Sequence, residues 1–478
     1  MVSRRTNAYV GVGLNERFID DGYEDKHLHG FTDAHATATI ISIMGSIGVF
    51  NLPFALKLGG WLGLPLIFLC GAMSLYTARL LVSCLHSGDD GKRIASYAAL
   101  GEVAFGISGR VVVIYFQYAT LLGMAALTMM ATGAFLVDVF VGGPQGNGFF
   151  PQLSNLLDFG CPPPATAPEP EPKWADGFSC SEHRWYQLST TLVALITLFV
   201  LVCLPTLGEA RIAALLGSGA FVLSALAGII NAFLLFPLDA DEAARFEMPF
   251  GNGTGPSTRL APEGVSDLAL AISAISLSFG GHSALPSIEG HTIQPWRFLG
   301  ALNRVYVLLV LLNSLVALSG YLTFGALAEP PVLENLPHAV GLSFGKLAAA
   351  IKLVVVVHLM ANLPLLLMVV ARELEAIIAI WVPYFAQVVC LVGASGVSMM
   401  AYIMPVLIGW KLRGESMGPI EKAWGGLILL LGVVSGIAGT TFSLWSLVHK
   451  LACAAKGEDC GEEVSVVPHH LLSGTAWQ

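Results

Sequence analysis

Nine apolar stretches long enough to cross a lipid bilayer follow one another along this chain of 478 residues. The hydrocarbon core holds no water to satisfy a peptide group, so a run of about 20 apolar residues there has to form a helix. Only 12% of the residues are charged, whereas soluble domains carry about a quarter. We therefore expect an all-α polytopic membrane protein. The stretches lie near 34–57, 61–86, 111–141, 186–206, 210–236, 267–290, 300–327, 344–371 and 423–448, and a further apolar block fills 376–410.

The lysines and arginines of the short loops predict the orientation, because cytosolic loops are enriched in both. Arg93 follows the second stretch, and Lys411 and Arg413 precede the last. This pattern places the N-terminus in the cytosol. The predicted division is a cytosolic tail at 1–32, a transmembrane domain at 33–449 and a C-terminal tail at 450–478, with loops 143–184, 237–266 and 328–343 outside or in a lumen.

Two of these loops carry sequence features of an oxidising, glycosylating compartment. Asn252-Gly253-Thr254 is a glycosylation sequon, and Cys161 and Cys180 flank an acidic, proline-rich stretch. We expect a glycan on Asn252 and a disulfide between Cys161 and Cys180; the alternative is that the two thiols stay free.

Residues 373–410 pose a problem of length. Arg372 and Lys411 are both expected in the cytosol, so the chain between them has to cross an even number of times. This segment gives about 57 Å of helix, and two crossings need slightly more. We expect a short pair around Pro383 and eleven spans in total. The alternatives are a re-entrant segment, or one helix fewer and ten spans.

Two spans contain residues that a plain hydrophobic anchor would not need. The first runs from Ser42 to Pro53 with glycines at 45 and 48, and the sixth runs from Ser278 to Pro286 with glycines at 280 and 281. Glycine is a poor helix former and proline removes an internal hydrogen bond, so we expect both helices to be interrupted. Matched interruptions in the two halves of a membrane protein indicate a transporter site, although such residues also occur at simple kinks.

An interrupted helix offers main-chain groups that suit a zwitterion. Free N–H groups with a positive dipole end suit a carboxylate, and free carbonyls suit an ammonium. We therefore predict an amino acid substrate, held by main chain at both breaks, with apolar walls that favour neutral side chains. The candidate binding residues are Gly45, Ser46, Ile47, Gly48, Phe279, Gly280 and Gly281.

The residues around the breaks match a known family. The segment Gly48-Val-Phe-Asn-Leu-Pro-Phe-Ala55 followed by Gly60-Trp-Leu-Gly63 resembles the first-helix signature of the amino acid/auxin permease family in the APC superfamily. The segment Phe279-Gly-Gly-His-Ser-Ala-Leu-Pro-Ser-Ile-Glu289 is similar to its sixth-helix signature, nearest the vesicular and vacuolar amino acid transporter branch. The resemblance covers roughly 33–448. It implies the leucine-transporter-type fold, a five-plus-five inverted repeat with broken first and sixth helices and an eleventh helix appended.

Three ionisable residues in the spans are candidates for proton coupling or gating, because such groups are costly in a membrane. His282 lies in the sixth-helix break, and its alternative role is to hydrogen-bond freed carbonyls. Glu289 lies near the cytosolic end, where we also expect pairing with Arg297 or Arg304. For His358 an interhelical hydrogen bond is the simpler expectation. The remaining charges, Lys57, Lys352 and Asp138, are expected to snorkel or to lie at the interface.

Sodium is the competing driving ion. The sodium-coupled branch of the family carries an asparagine where this chain has Ser42, and threonines where this chain has Met360 and Ala361. Of the eighth-span positions only Asn362 offers a side-chain oxygen. We therefore expect proton coupling, with no resident metal and no cofactor.

The function predicted from the sequence is secondary active transport of small neutral amino acids, coupled to protons and working by alternating access. The alternatives are a sodium-coupled carrier and an amino-acid sensor that signals through its N-terminal tail. An enzyme is not expected, because the sequence spaces no nucleophile–base pair and no metal cluster for catalysis. We expect a monomer whose partners are an amino acid and the bilayer, with no nucleic acid. An acidic organelle membrane (vacuole, lysosome or vesicle) is favoured, and the plasma membrane is the alternative.

Overall fold

The structure is a computed structural model that describes residues 31–88, 93–141, 180–203, 211–235, 258–335, 342–368 and 390–456. Within these ranges the ordered elements are helices, and the β-type pairing is a single isolated bridge between Phe31 and Thr292. The predicted all-α polytopic membrane fold is confirmed. Cys161, Asn252 and residues 373–389 lie outside the described residues, as does the side chain of Cys180, so the predictions made for them stay predictions.

Six helices are described in the first half of the chain. The first crossing consists of α1 (Asp33–Met44), a 3₁₀ turn (Ile47–Asn51) and α2 (Leu52–Gly59), and a second 3₁₀ turn (Gly60–Leu62) follows it. The helices after them are α3 (Gly63–Leu85), α4 (Tyr97–Phe140), α5 (Cys180–Cys203) and α6 (Arg211–Leu235).

The second half repeats this order. Its interrupted crossing consists of α7 (Val265–Leu277) and α8 (Leu285–Gly290), and α9 (Pro295–Phe324) follows. Two 3₁₀ turns, Gly325–Leu327 and Val332–Asn335, lead to α10 (Leu342–Leu367). A π-helix (Val392–Ile403) continues into α11 (Met404–Arg413), and the last helix is α12 (Pro419–Lys456), which extends past the predicted end of the last span.

Eight of the described helical segments are long and apolar enough to cross a membrane, and α7 is a shorter apolar helix. The outward faces of α5 and α6 expose large apolar side chains, including Phe199 at 68% and Ile212 at 72%. Such contiguous apolar surface is not stable in water, so these faces contact lipid. The longest helix, α4, contains a break at Gly106 with φ of 69°, a conformation that favours glycine.

Contacts between distant segments define the two ends of the helix bundle. At the end that the sequence predicts to face the cytosol, called the inner end, the Phe31 N–H donates to the His291 carbonyl at 2.7 Å, and Arg413 donates to Ser83 Oγ at 2.6 Å. At the outer end, the Trp61 N–H donates to the Arg259 carbonyl at 3.0 Å. The inner end carries the arginines and lysines on which the cytosolic assignment depends.

Candidate substrate site

The first break separates α1 from α2 in the middle of their crossing. The α1 helix ends at Met44, Gly45 caps it, and Ser46 is extended with ψ of 179°. Ser46 Oγ then accepts the Gly48 N–H at 3.3 Å and caps the 3₁₀ turn. The last α1 carbonyls and the first N–H groups of the turn have no partner within their own helices. The gap between α1 and the 3₁₀ turn is therefore bordered by carbonyl oxygens on one side and by N–H groups on the other.

The second break spans residues 278–284, between α7 and α8. Tight turns replace the helix here: the Phe279 N–H donates to the Ser276 carbonyl at 3.1 Å, and the Ala284 N–H donates to the Gly281 carbonyl at 3.0 Å. The helix resumes at Leu285 with Pro286 in its first turn, where a missing N–H costs nothing. Both predicted interruptions are confirmed.

The two breaks touch each other at glycines. A Cβ on Gly48 would lie 3.1 Å from the Ser278 nitrogen, and a Cβ on Gly281 would lie 2.5 Å from Met44 Cγ. Glycine is needed at Gly48 because the neighbouring atoms belong to the backbone of the other break and cannot rotate away. The structure thus brings the first-helix candidates against the sixth-helix candidates in the buried core.

The other predicted binding residues line the same region. Gly45 packs against the Phe221 ring of α6, and Gly280 packs against Val397 of the π-helix. Ile47 and Phe279 are 2% and 0% exposed. These two side chains give the region around the breaks an apolar lining.

Polar side chains that the sequence did not predict hold the second break open. Ser74 Oγ lies 2.9 Å from the Tyr306 hydroxyl and 3.4 Å from the Phe279 carbonyl oxygen. The Phe279 ring stacks on the Tyr306 ring, with 6.4 Å between centroids. Gln117 donates to the Ser283 carbonyl at 2.8 Å. Gln117 could have been found from the sequence, because it is an amide within a long apolar run.

His282 is 1% exposed and lies between the second break and α3. Its Nε2 is 3.0 Å from Thr77 Oγ1 and 3.2 Å from the Ser74 carbonyl oxygen. A carbonyl only accepts, so we assign the ring hydrogen to Nε2. Nδ1 has no hydrogen-bond partner among the described residues. The ring therefore keeps one free position for a proton.

His358 lies beside the first break. Its Nδ1 donates to the Gly217 carbonyl at 2.8 Å, which is the expected interhelical hydrogen bond, from α10 to α6. Its ring packs on Phe221, the same ring that contacts Gly45. Nε2 has no hydrogen-bond partner within the described ranges. This histidine also keeps a free position for a proton.

Further unpartnered polar atoms surround His358. A Cβ on Gly217 would lie 2.4 Å from Ser42 Oγ and 3.3 Å from the Ala361 Cβ, so α1, α6 and α10 meet at this point. Ser42 Oγ and both amide atoms of Asn362 are buried without a hydrogen-bond partner in the part of the chain that the structure describes. Unsatisfied buried groups are rare, so these atoms call for a partner such as a ligand, an ion or a water molecule.

Glu289 is fully buried at the inner end, but its partners differ from the predicted ones. His86 Nε2 lies 2.9 Å from its Oε1, and Arg93 forms a salt bridge to its Oε2. Arg93 also donates to the Pro286 carbonyl at 2.6 Å. The expected pairing with Arg297 or Arg304 is wrong, because the loop before α4 folds back beneath α8.

Arg304 instead forms a second ion pair at the inner end. It pairs with Asp33 in the first turn of α1 at 2.7 Å, and both side chains are partly exposed. Together with the contact of Phe31 to His291, this pair fastens the start of α1 to the segment after α8.

Lys352, at the outer end, does not snorkel to water: its side chain is 2% exposed and forms a salt bridge with Asp138 of α4, which is 17% exposed. Glu334 lies 3.7 Å away on the second 3₁₀ turn after α9. The Lys57 ammonium lies 5.9 Å from the Phe54 ring centroid.

These broken helices belong to a chain whose family can be recognised over nearly its full length. The profile of the family described as "Transmembrane amino acid transporter protein" matches residues 29–378 and 374–448. The chain belongs to this transporter family. The resemblance inferred from the motifs at the two breaks is therefore confirmed.

Individual transporters of this family are similar to the chain. Amino acid transporter AVT1D of Arabidopsis thaliana is 25% identical over 433 residues, which cover 86% of this chain and 69% of that protein. AVT1I of the same plant is 22% identical, covering 85% and 93%. The vesicular inhibitory amino acid transporter of Mus musculus is 22% identical, covering 84% and 73%. This family member is accordingly a multi-pass amino acid transporter in a lipid bilayer, and not an enzyme.

Proposed function

We propose that this transporter carries small neutral amino acids by proton-coupled alternating access across the membrane of an acidic organelle. The observation that carries the proposal is the contact between the two helix breaks in the buried core. Gly48 and Ser278 meet there, and both lie beside main chain that is not committed to helix hydrogen bonds.

The chemistry of the breaks supports an amino acid substrate. The last carbonyls of α1 suit the ammonium group, because they are partially negative and lack intrahelical partners. The N–H groups that begin the turn at Ile47 suit the carboxylate. Ile47 and Phe279 supply apolar walls, which favour a neutral side chain of limited size.

The ties at both ends support alternating access. At the inner end Glu289 pairs with Arg93, and Asp33 pairs with Arg304. At the outer end the Trp61 N–H donates to the Arg259 carbonyl. A carrier has to break the contacts at one end and then those at the other. Because the two groups of contacts share no residue, each end can open without the other.

His282 and His358 support proton coupling. Each is buried beside one of the breaks and keeps one ring nitrogen without a partner among the described residues. Histidine exchanges a proton near physiological pH, so such a nitrogen can take up a proton when water reaches the break. The similarity to a vesicular transporter supports an organelle membrane.

One observation favours a sodium-coupled carrier as the second candidate. The oxygens of Ser42 and Asn362 are buried and, within the described ranges, unpartnered near His358, and oxygen ligands suit a hard cation. The neighbouring imidazole disfavours a cation at the same point once it is protonated.

Flux measurements in proteoliposomes test the proposal, with a pH gradient and a sodium gradient imposed separately on a panel of amino acids. We expect neutral amino acids of small volume to accumulate with the pH gradient alone, by roughly tenfold per pH unit for one coupled proton. Accumulation that needs sodium would favour the second candidate. Binding without any flux would contradict both and indicate a sensor.

A further inference from the structure

A buried ionic cluster at the outer end is not explained by the substrate site. It joins three separate elements: Asp138 near the end of α4, Glu334 on the 3₁₀ turn Val332–Asn335, and Lys352 in α10. Lys352 is 2% exposed, whereas Asp138 and Glu334 keep 17% and 32% of their side chains exposed. The ammonium also lies 5.7 Å from the Phe135 ring centroid.

The turn that carries Glu334 is firmly seated. Val332 and Leu333 are buried, and the Asn335 amide donates to the Leu327 carbonyl at 2.9 Å and accepts the Glu329 N–H at 2.8 Å. This arrangement presents Glu334 to Lys352 as part of one rigid loop, residues 328–335. We call this segment the outer loop.

The charges of the cluster do not balance when both carboxyl groups are ionised. One ammonium then faces two carboxylates, and Glu329 of the outer loop adds a further negative charge nearby. A proton on Glu334 would leave one neutral Lys352–Asp138 pair and remove the repulsion between the two carboxylates. Because Glu334 keeps a third of its surface exposed, that proton can come from the outer compartment.

We propose that Glu334, held between Lys352 and Asp138, is a proton-binding site open to the outer compartment, and that its protonation fixes the outer loop against α4 and α10. The inference rests on the proposed function for the acidity of that compartment. The response of the loop to pH does not depend on which ion drives transport.

The electrostatic environment supports the sign of this response. Burial raises the pKa of the Glu334 carboxyl from 4.5 to about 7; Lys352 opposes the shift, and Asp138 and Glu329 add to it. A loop that has moved away leaves this carboxyl in water with an ordinary pKa. The seated loop therefore binds the proton more tightly, is favoured at low pH, and loses this advantage as pH rises through about 7.

Hydrogen–deuterium exchange of the full-length protein in lipid nanodiscs tests the proposal. After correction for intrinsic rates, we expect amides of the outer loop to exchange roughly tenfold more slowly at pH 6 than at pH 8. Glu334→Gln should keep slow exchange at both pH values. The matched control is Glu263→Gln, which removes a carboxylate from an exposed pair with Arg259 and should leave the response intact.

A second variant keeps the test decisive if Glu334→Gln does not fold. Asp138→Asn removes the neighbouring negative charge, so Glu334 becomes the one carboxylate of the cluster that pairs with Lys352. The midpoint of the pH response of outer-loop exchange should therefore move to lower pH. Exchange of the wild-type outer loop that does not change with pH would overturn the proposal. If uptake proves to be sodium-driven while the loop still responds to pH, the proposed function fails and this inference stands.

Discussion

Gly48 is a residue at which the backbones of the two breaks come into contact. The atoms that a Cβ would meet at 3.1–3.2 Å are the Ser278 nitrogen and the Leu277 carbonyl carbon and side chain. Two of these belong to backbone, so the breaks themselves would have to separate. At Gly281 an added Cβ would lie 2.5 Å from Cγ of Met44, whose side chain is 1% exposed and has little room to turn.

We therefore expect Gly48→Ala and Gly281→Ala each to weaken substrate binding relative to the wild type. Overpacking of this kind costs about 1–3 kcal/mol, which corresponds to a loss of affinity of roughly 5- to 150-fold. Isothermal titration of the purified variants with a transported amino acid measures the difference. Gly219→Ala is the control, since nothing lies within 4 Å of the added Cβ. Equal affinity in all three variants would show that the contact between the breaks is unimportant.

His282 gives the second prediction at this scale. In His282→Ala, substrate binding should persist, because the main chain of the breaks holds the ligand. Accumulation driven by a pH gradient should vanish, because the free Nδ1 is lost. Proteoliposomes loaded with unlabelled amino acid supply the check: exchange down the substrate gradient continues, whereas pH-driven uptake does not. Thr77→Val is a control that keeps the imidazole. Unchanged pH-driven uptake in His282→Ala would remove this residue from the coupling step.

At the scale of elements, the inner end depends on the pairing of α8 with the loop before α4. Glu289 is fully buried, and Arg93 bonds both its carboxylate and the Pro286 carbonyl. The short helix α8 has only six residues, and this side-chain pairing adds to the burial of Leu285 and Ile288 in fixing its position.

Glu289→Gln should therefore loosen the inner end. Removing one partner of a buried ion pair costs about 3–5 kcal/mol, and the lower part of this range applies because Arg93 is 22% exposed. We expect faster hydrogen exchange in residues 285–290 and a population shifted towards the inward-open state. Glu102→Gln is the matched control, since its pair with Arg110 is exposed and such pairs contribute less than about 1 kcal/mol. The same exchange rate in both variants would exclude a gating role for Glu289.

The sequence predicted elements better than it predicted partners. Glycine and proline in apolar runs have local consequences for hydrogen bonding, so both breaks could be located from the order of residues alone. The pairing of Glu289 with Arg93 joins residues 196 apart, and that of Lys352 with Asp138 joins residues 214 apart. Which cation meets which carboxylate depends on how loops fold back over the helices. The residues next to each charged group in the sequence do not predict that geometry.

At the scale of the whole molecule, the described contacts bear on the number of crossings. Phe31 and Arg413 both lie at the inner end, where Phe31 forms a hydrogen bond with His291 and Arg413 forms one with Ser83. The 38-residue helix α12 begins soon after Arg413 and is long enough to reach the outer end. An odd number of crossings, such as the predicted eleven, satisfies both observations.

Tags at the two termini test this topology. In sealed vesicles whose cytosolic face points outward, an added protease should remove an N-terminal tag and leave a C-terminal tag protected. A glycan removable by endoglycosidase, and absent from Asn252→Gln, would place loop 237–266 with the C-terminus. Cleavage of both tags from the same side would require an even number of crossings, such as ten, and overturn the count of eleven.

The central proposal is that the main chain at the two breaks binds both charged ends of an amino acid. Competition binding with matched analogues tests this binding mode, by comparing one transported amino acid with its decarboxylated amine and its deaminated acid. Both analogues keep the side chain, and each lacks one charged end. We predict that each competes at least about 100-fold more weakly than the parent, since a lost charged hydrogen bond leaves its buried partner unsatisfied. An analogue that lacks one end and still competes as well as the parent would show that the breaks do not hold the substrate in this way.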